Sequence, residues 1–174
     1  MFKDTGMPDD ASLAIDKPSE AELLEKREKQ AVSLLEGLGF SVSKRPAEQQ
    51  VEGLSRQQLN LGRDVDASQA EFEPAGYYGA GKFVAEQNIN GHNVTVAFTP
   101  LGSRTFDSGV FLDNKYIGGN HDFLEEELLI YVEKAMAAAT FEANPGLLPT
   151  WTEEYKQFVA EFRGKVAEAK SANQ

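Results

Sequence analysis

Apolar residues recur at helical spacing close to the start of the chain, with charged residues between them. The repeating positions are Leu24, Ala31, Leu35 and Leu38. Ser19 and Glu22 precede them as a capping box, in which each side chain can bond the backbone amide of the other residue. Gly39 suits the left-handed position that closes a helix, and Phe40 can fold back onto the last turn. The pattern predicts a helix that starts after Ser19 and ends before Gly39.

The segment from Lys82 to Thr99 alternates apolar and polar residues around Asn90-Gly91, the favoured pair for a two-residue type I′ turn. Counting outward from that turn predicts four pairs: Ile89 with His92, Gln87 with Val94, Ala85 with Val96, and Phe83 with Phe98. By the two-residue period of a strand these residues share one face, which we expect to be the apolar one. The opposite face pairs Glu86 with Thr95 and Asn88 with Asn93, so it is expected to be wetter.

A second tight turn is predicted at Asp113-Asn114, after a strand that runs from about Arg104 to Leu112. The expected pairs are Leu112 with Lys115, Phe111 with Tyr116, and Val110 with Ile117. Residues 40–42 are typical of a further short strand that can be added at the edge of the sheet. The chain therefore predicts an antiparallel meander of about four strands.

Two helices are predicted after the strands. Asp122 and Glu125 can cap the first, and Asn144-Pro145-Gly146 stops it. Its expected buried stripe is Leu124, Leu128, Tyr131, Val132, Ala135 and Ala139. The last helix opens near Thr150 or Thr152, and its expected aromatic-rich face consists of Trp151, Tyr155, Phe158, Val159, Phe162 and Val166. The predicted fold class is α+β, with the meander packed against an N-terminal helix and two C-terminal helices.

Two segments lack this patterning. Residues 1–18 are poor in apolar groups and carry four aspartates, so they are expected to form a flexible N-terminal arm. Residues 44–78 are polar and form a long loop, which is uncommon in a compact domain unless it is functional. The predicted organisation is therefore an arm at 1–18 and a single α+β domain at 19–174 that contains the loop.

The composition limits the choice of partners. The 174 residues include 28 acidic and 17 basic ones, a net charge of −11, and the charge balances within residues 82–119. Nucleic acid and anionic lipid need clustered Lys and Arg, so neither is expected as a partner. Without cysteine there is no thiol catalysis and no Cys-ligated metal. The first 17 residues lack the apolar run of a secretory signal, so we expect a cytoplasmic protein, or a virion component if it is phage-encoded.

Candidate chemistry is sparse. His92 falls at a hairpin turn and His121 before a helix, and neither belongs to a metal-binding spacing, so no metal or cofactor is expected. Gly76 to Lys82 ends in Gly-Lys like a phosphate loop but lacks the hydroxyl residue and precedes a strand. Asp107 and Asp113 lie near one hairpin, but no spacing makes them a catalytic couple. A carboxylate- or metal-dependent enzyme therefore remains only an alternative hypothesis.

The candidate binding residues are aromatic. Tyr77 and Tyr78 lie in a glycine-flanked segment beside the polar loop, with Phe72 shortly before them. Aromatic side chains in such a setting offer a large contact area at low entropic cost. The competing interpretation is that they simply cover the edge of the sheet.

The order of helix, antiparallel strands and helix, with small size and acidity, resembles the chaperones of bacterial type III secretion. The resemblance is one of architecture over residues 19–140 and rests on no motif, and residues 44–76 and the helix near Trp151 depart from it. It implies a small acidic dimer that wraps extended protein segments. The leading hypothesis from the residues is a non-enzymatic interaction or structural protein, an accessory component that docks on a multi-subunit assembly or forms a homo-oligomer.

Overall fold

A computed structural model describes residues 19–44, 82–102 and 104–172 of the chain. The described part begins with one helix, continues with five strands and ends with two helices. The elements are α1 (Glu20–Gly37), β1 (Ser41–Lys44), β2 (Phe83–Ile89), β3 (His92–Pro100), β4 (Thr105–Leu112), β5 (Lys115–Leu124), α2 (Glu125–Phe141) and α3 (Glu153–Ala172). This confirms the predicted α+β class. The arm at 1–18 and the polar loop at 44–78 lie outside the described residues, apart from Lys44.

Both ends of α1 form as the sequence predicts. The Ser19 hydroxyl accepts a hydrogen bond from the Glu22 amide at 3.1 Å, and the Glu22 carboxylate accepts one from the Ser19 amide at 3.3 Å. At the other end Gly39 has a φ of 99°, and the Phe40 amide reaches back to the Leu35 carbonyl at 3.0 Å. The bond from the Phe40 amide to the Leu35 carbonyl is the longer-range bond of a Schellman motif, so the chain turns directly from helix into strand.

The five described strands form one antiparallel sheet in the order β1-β2-β3-β4-β5, which is the predicted meander with the edge strand added. The register of the first hairpin is confirmed at all six predicted pairs. Asn90 and Gly91 both have positive φ, at 54° and 84°, as a type I′ turn requires. The Asn90 side chain also donates to the carbonyls of Ala139 and Thr140, at 3.4 and 3.0 Å, so this turn caps the end of α2.

The second hairpin follows the prediction for two pairs and then departs from it. Leu112 pairs with Lys115 and Phe111 with Tyr116, but Val110 pairs with Gly118 instead of Ile117. A β-bulge places one extra residue on β5 at this point, so the expected pair of Val110 with Ile117 was wrong.

Two glycines on β5 explain why the bulge is tolerated. A Cβ at Gly118 would lie 2.3 Å from the Tyr131 ring, which packs onto the strand from α2. Gly119 has a φ of 136°, and a Cβ there would lie 2.3 Å from the Ser108 carbonyl oxygen. Because neither position has room for a side chain, both glycines are needed where α2 and β4 approach β5.

β5 continues to Leu124, where Thr105 is its partner. Near this end Phe123 packs edge-on against Tyr131 of α2, with the ring centroids 5.4 Å apart. The chain therefore passes from strand to helix without a connecting loop.

α2 accordingly starts later than predicted. The expected cap at Asp122 and Glu125 was wrong, because Asp122 lies in the strand. Leu124 stands at the N-cap instead, and its amide donates to the Glu127 carboxylate at 3.4 Å. At this position Leu124 is 40% exposed, so it does not belong to the buried stripe in which it was expected.

The helices cover one face of the sheet and enclose the core. This face carries the predicted apolar row, in which the Phe83 and Phe98 rings stack 5.2 Å apart and Phe106 meets Phe98 edge-on. The helical side is rich in small residues: Ala135, Ala137, Ala138 and Ala139 are all buried. Small side chains let α2 lie close to the strands.

The opposite face of the sheet is wet near the first turn and on the edge strand β1, where Ser41 and Ser43 are exposed. Glu86, Asn88 and Asn93 are not buried, as predicted, but Val84, Thr95, Ala97, Asp107 and Phe111 are each less than 9% exposed. The expectation of a wetter face was therefore wrong for the middle of the strands. There, successive side chains point to opposite faces of the sheet, and both faces are buried.

The aromatic face of α3 is confirmed except at its first member. Phe141, Tyr155, Phe158 and Phe162 form a chain of ring contacts with centroids 5.7 to 6.3 Å apart. Trp151 was predicted to join them but is 75% exposed, because it lies in the turn before the helix. The Thr152 hydroxyl caps α3 by accepting from the Tyr155 amide at 3.2 Å, as the predicted start near Thr152 implies.

We expect Gly118→Ala and Gly119→Ala each to lower the free energy of unfolding by about 1 to 3 kcal/mol, because the added methyl group forces Tyr131 or the Ser108 carbonyl to move. Urea denaturation followed by circular dichroism measures the change. Gly164→Ala is the matched control: nothing lies within 4 Å of its added Cβ in α3, so it should stabilise by about 0.5 to 1 kcal/mol. Equal effects at Gly118 and Gly164 would contradict the close approach of α2 to β5.

Candidate binding cleft

A cleft opens between the first turns of α1 and the residues that follow β3. Its volume is about 490 Å³, within the range of ligand-binding pockets. Among the residues that the structure describes, its lining consists of Glu20, Leu23, Leu24, Lys26, Arg27, Gln30, Leu101 and Gly102. We name this site the α1 cleft.

Three leucines in the α1 cleft are unusually exposed. Leu23, Leu24 and Leu101 have 51%, 37% and 38% of their surfaces in contact with solvent. Leu24 is one of the apolar positions at helical spacing from which this helix was predicted, yet its side chain is exposed. The buried side chains of α1 start only at Arg27, so the first two turns of the helix extend beyond the core. The cleft is the space beneath this overhang.

Arg27 lies at the point where the overhang joins the core, and it is 7% exposed. One of its terminal nitrogens donates to the Glu125 carboxylate at 2.8 Å, and its guanidinium lies 4.6 Å from the centre of the Phe106 ring. Among the described residues its Nε has no hydrogen-bond partner. A buried guanidinium is tolerated only when it is neutralised, so the Glu125 carboxylate holds Arg27 in place.

Glu125 links all three of the described helices. Its second carboxylate oxygen lies 3.4 Å from Lys170 on α3, while the first accepts from Arg27 on α1. Two positive groups thus surround one negative group that is 15% exposed. The group of three carries a net positive charge within a chain whose net charge is −11.

A second ion pair fixes the middle of α1. Lys82, just before β2, donates to the Glu28 carboxylate, and the Lys82 amide donates to the Thr99 hydroxyl at 2.9 Å. Glu28 is 15% exposed, so this pair is partly shielded from water and from screening by salt. The helix that carries the cleft is therefore held to the sheet and to α2 by two separate charged contacts.

The predicted binding residues Phe72, Tyr77 and Tyr78 lie outside the described residues, so they stay predictions. The same holds for the glycine-rich segment that ends at Lys82, except Lys82 itself. The residues of the α1 cleft were missed by sequence reasoning. The signal was present, because position 27 lies between Leu24 and Ala31 on the helical stripe and carries an arginine instead of an apolar residue.

The two candidate aspartates do not converge. Asp113 lies in the turn after β4, whereas Asp107 is buried in the middle of that strand. Asp113 lies six residue steps along the chain from Asp107, a distance of about 20 Å in an extended strand. Asp113 instead contacts His92, with its Oδ2 2.7 Å from the His92 Nδ1, and it accepts from the Asn93 amide at 2.9 Å.

His92 therefore lies between two carboxylates. Its Nε2 is 3.9 Å from the Glu142 carboxylate, which follows the last residue of α2. The hydrogen bond with Asp113, opposed in part by burial, raises the pKa of His92 above its ordinary value of 6.5. For Asp113, burial works against ionisation, but the hydrogen bonds from His92 and the Asn93 amide together lower its pKa. The contact ties both hairpin turns to the end of α2.

The α1 cleft offers groups for binding: alkyl side chains, one amide and three charged groups. Among the residues that the structure describes, no group of three or more His, Asp or Glu side chains is placed to hold a metal ion. Of the helices in these ranges, none has the length and apolar character needed to cross a bilayer.

No protein-family model, no curated protein and no solved structure matches this chain. The function is therefore inferred from the geometry of the described residues.

We expect Arg27→Ala to lower the free energy of unfolding by about 3 kcal/mol, because Glu125 is then left buried with only the more distant Lys170 beside it. Chemical denaturation gives the value. The control is Arg104→Ala, since Arg104 and Glu126 form a pair in which both side chains are more than half exposed. Such a pair contributes less than about 1 kcal/mol. Similar losses for the two variants would show that the Arg27 contact is not effectively buried.

We expect the free energy of unfolding to fall as the pH rises from about 6 to 8. Because the pKa of His92 is raised in the folded state, its contact with Asp113 stabilises the fold fully below the unfolded pKa of about 6.5. That stabilisation is lost as the pH rises through the folded-state pKa. For Asp113, whose pKa is lowered, the stabilisation is lost only on acidification. The test compares denaturation midpoints of the wild type and His92→Gln at both pH values. His121 is present in both proteins and cancels. A wild-type slope no steeper than that of the variant would contradict the His92 contact.

Proposed function

We propose that this protein is a non-enzymatic accessory component that docks on a larger protein assembly, such as a phage virion, through the α1 cleft. The observation that supports this most is the exposure of Leu23, Leu24 and Leu101 around one concave surface. Alkyl surface gains roughly 25 cal/mol for each Å² that a partner removes from water. Exposed leucines that share a cleft are therefore a surface suited to burial in a complex.

The ion pairs that hold α1 in place support the same proposal. Arg27 and Glu28 each form a shielded ion pair with another element, so the helix keeps its position while its first turns project into solvent. A surface that is rigid before binding loses little conformational freedom on association. The cleft is thus prepared for a partner and does not have to be assembled by it.

The charge of the α1 cleft indicates what kind of partner it suits. Lys26 and Arg27 line the cleft together with one acid, Glu20, and with Lys170 and Glu125 beside them the basic groups still outnumber the acidic ones by three to two. In a chain with a net charge of −11 this is a local region of positive charge. The partner surface should therefore present aliphatic side chains with an acidic group at their margin, because complementary charge steers docking. A protein surface supplies both.

The proposal includes the cytoplasm, or the virion for a phage-encoded chain, as the location, and it needs no cofactor. The separation of Asp107 and Asp113 is consistent with a non-enzymatic role. A chaperone-like homodimer is the competing function, and it differs in a measurable way: a dimer would use its apolar surface to bind a second copy and an extended peptide.

The test is sedimentation of the tagged chain in extracts of the cells that produce it. We expect the wild type to sediment with a large complex, and the double variant Leu23→Asp, Leu101→Asp to lose at least about nine tenths of that fraction, since two buried carboxylates would have to be desolvated. Both leucines are exposed, so the folded state is retained and circular dichroism checks this.

The matched control is Leu147→Asp, a leucine that is 78% exposed in the turn before Trp151. It should sediment like the wild type. If Leu147→Asp alone abolishes sedimentation, docking uses the turn between α2 and α3 and the α1 cleft is the wrong surface. A wild type that runs as a homodimer by light scattering, with dimerisation lost in the Leu23 and Leu101 variant, would replace docking by the chaperone-like function.

A further inference from the structure

We infer that residues 13–16 of the same chain occupy the α1 cleft and compete there with the docking partner. This inference rests on the proposed function for its regulatory consequence, but the contact itself can be tested separately. The segment reads Leu13-Ala14-Ile15-Asp16, and it ends three residues before Ser19, the residue that caps α1.

The chemistry of the segment matches the cleft. Leu13 and Ile15 are two residues apart, so in an extended chain their side chains point to the same side. That side can meet the exposed leucines, while Asp16 supplies the carboxylate that Lys26 attracts. The segment therefore has the features expected of the partner: aliphatic groups with an acidic residue at their margin.

The chain is long enough to reach. Residues 20 to 30 of α1 span about 15 Å along the helix axis. Ile15 lies four residues before Ser19 and can extend about 14 Å from it, and Leu13 can extend about 20 Å. Pro18 disfavours a helical conformation at Lys17, so the backbone is not expected to continue the direction of α1. The segment can turn back along the first three turns without any change in the described fold.

Because residues 13–16 are covalently joined to α1, they are favoured over a separate molecule as the occupant of the cleft. A segment joined by so short a connection is present at a millimolar effective concentration, whatever the protein concentration. A weak contact is then enough to fill the cleft for much of the time. The apparent affinity for the docking partner is then reduced to its intrinsic value multiplied by the fraction of molecules whose cleft is free.

Disulfide trapping in the full chain tests the contact, because the natural sequence has no cysteine. The trapping variant carries Ile15→Cys and Leu101→Cys, and the control carries Ile15→Cys and Leu147→Cys. Under a glutathione redox buffer we expect the first pair to form an intrachain disulfide at least about tenfold faster than the control, since docking brings residue 15 to the cleft. Non-reducing electrophoresis and intact mass distinguish the products.

Two outcomes would overturn the inference. Equal rates for the two pairs would show that the segment has no preference for the α1 cleft. A disulfide formed mainly between chains would show that the cleft takes the segment of a second copy. Should Leu101→Cys weaken folding, Leu24→Cys lines the same cleft and replaces it.

The regulatory part has its own readout. We expect Leu13→Ser with Ile15→Ser to raise the fraction that sediments with the assembly. The trapping variant should not sediment once its disulfide has formed, and it should recover on reduction. Trapping without any effect on sedimentation would leave the intrachain contact established and would overturn the competition with a partner. Sedimentation lost in the cleft variant but unaffected in the segment variant would overturn it as well.

Discussion

The contact between Arg27 and Glu125 is the interaction on which the arrangement of the helices depends. A guanidinium that is 7% exposed needs a carboxylate at hydrogen-bond distance, and here that carboxylate is the first residue of α2. Lys170 on α3 shares the same carboxylate. The three described helices thus have one charged contact in common, in addition to their apolar contacts and to the Arg163–Glu133 pair between α3 and α2. A hydrogen-bonded ion pair requires its two partners to be closely aligned, so this contact favours one alignment of the helices.

The α1 cleft is a geometric result of that charged contact. The buried face of α1 begins at Arg27, so whatever precedes it must extend past the core. The leucines at 23 and 24 are exposed because no other described element reaches that far, and Leu101 comes from the chain that leaves β3 below them. The cleft thus results from the length of α1 and the position of Arg27 along it, and no specialised loop is needed to form it.

Local chemistry decided which features could be predicted from the sequence. The first hairpin was predicted to the residue because Asn90-Gly91 fixes the turn and the two-residue period fixes the faces. The prediction for the second hairpin was wrong beyond Phe111, because the bulge depends on Tyr131, which approaches Gly118 from another element. Burial of Val84 and Phe111 on the second face of the sheet is likewise set by the tertiary structure. The cleft was missed because exposure of a leucine depends on where the core ends, which periodicity cannot show.

The hydrogen bonds from Asn90 to the last turn of α2 have a consequence for how the chain is made. α2 has no basic residue in its last turn to donate to the final carbonyls. The side chain of Asn90, which lies 50 residues before Thr140, supplies that hydrogen-bond donor. A ribosome adds roughly 5 to 20 residues each second, so the turn leaves the exit tunnel several seconds before the helix end it completes. The hairpin can close in microseconds. The turn that carries Asn90 can therefore form before Ala139 and Thr140, the residues that it bonds, have been synthesised.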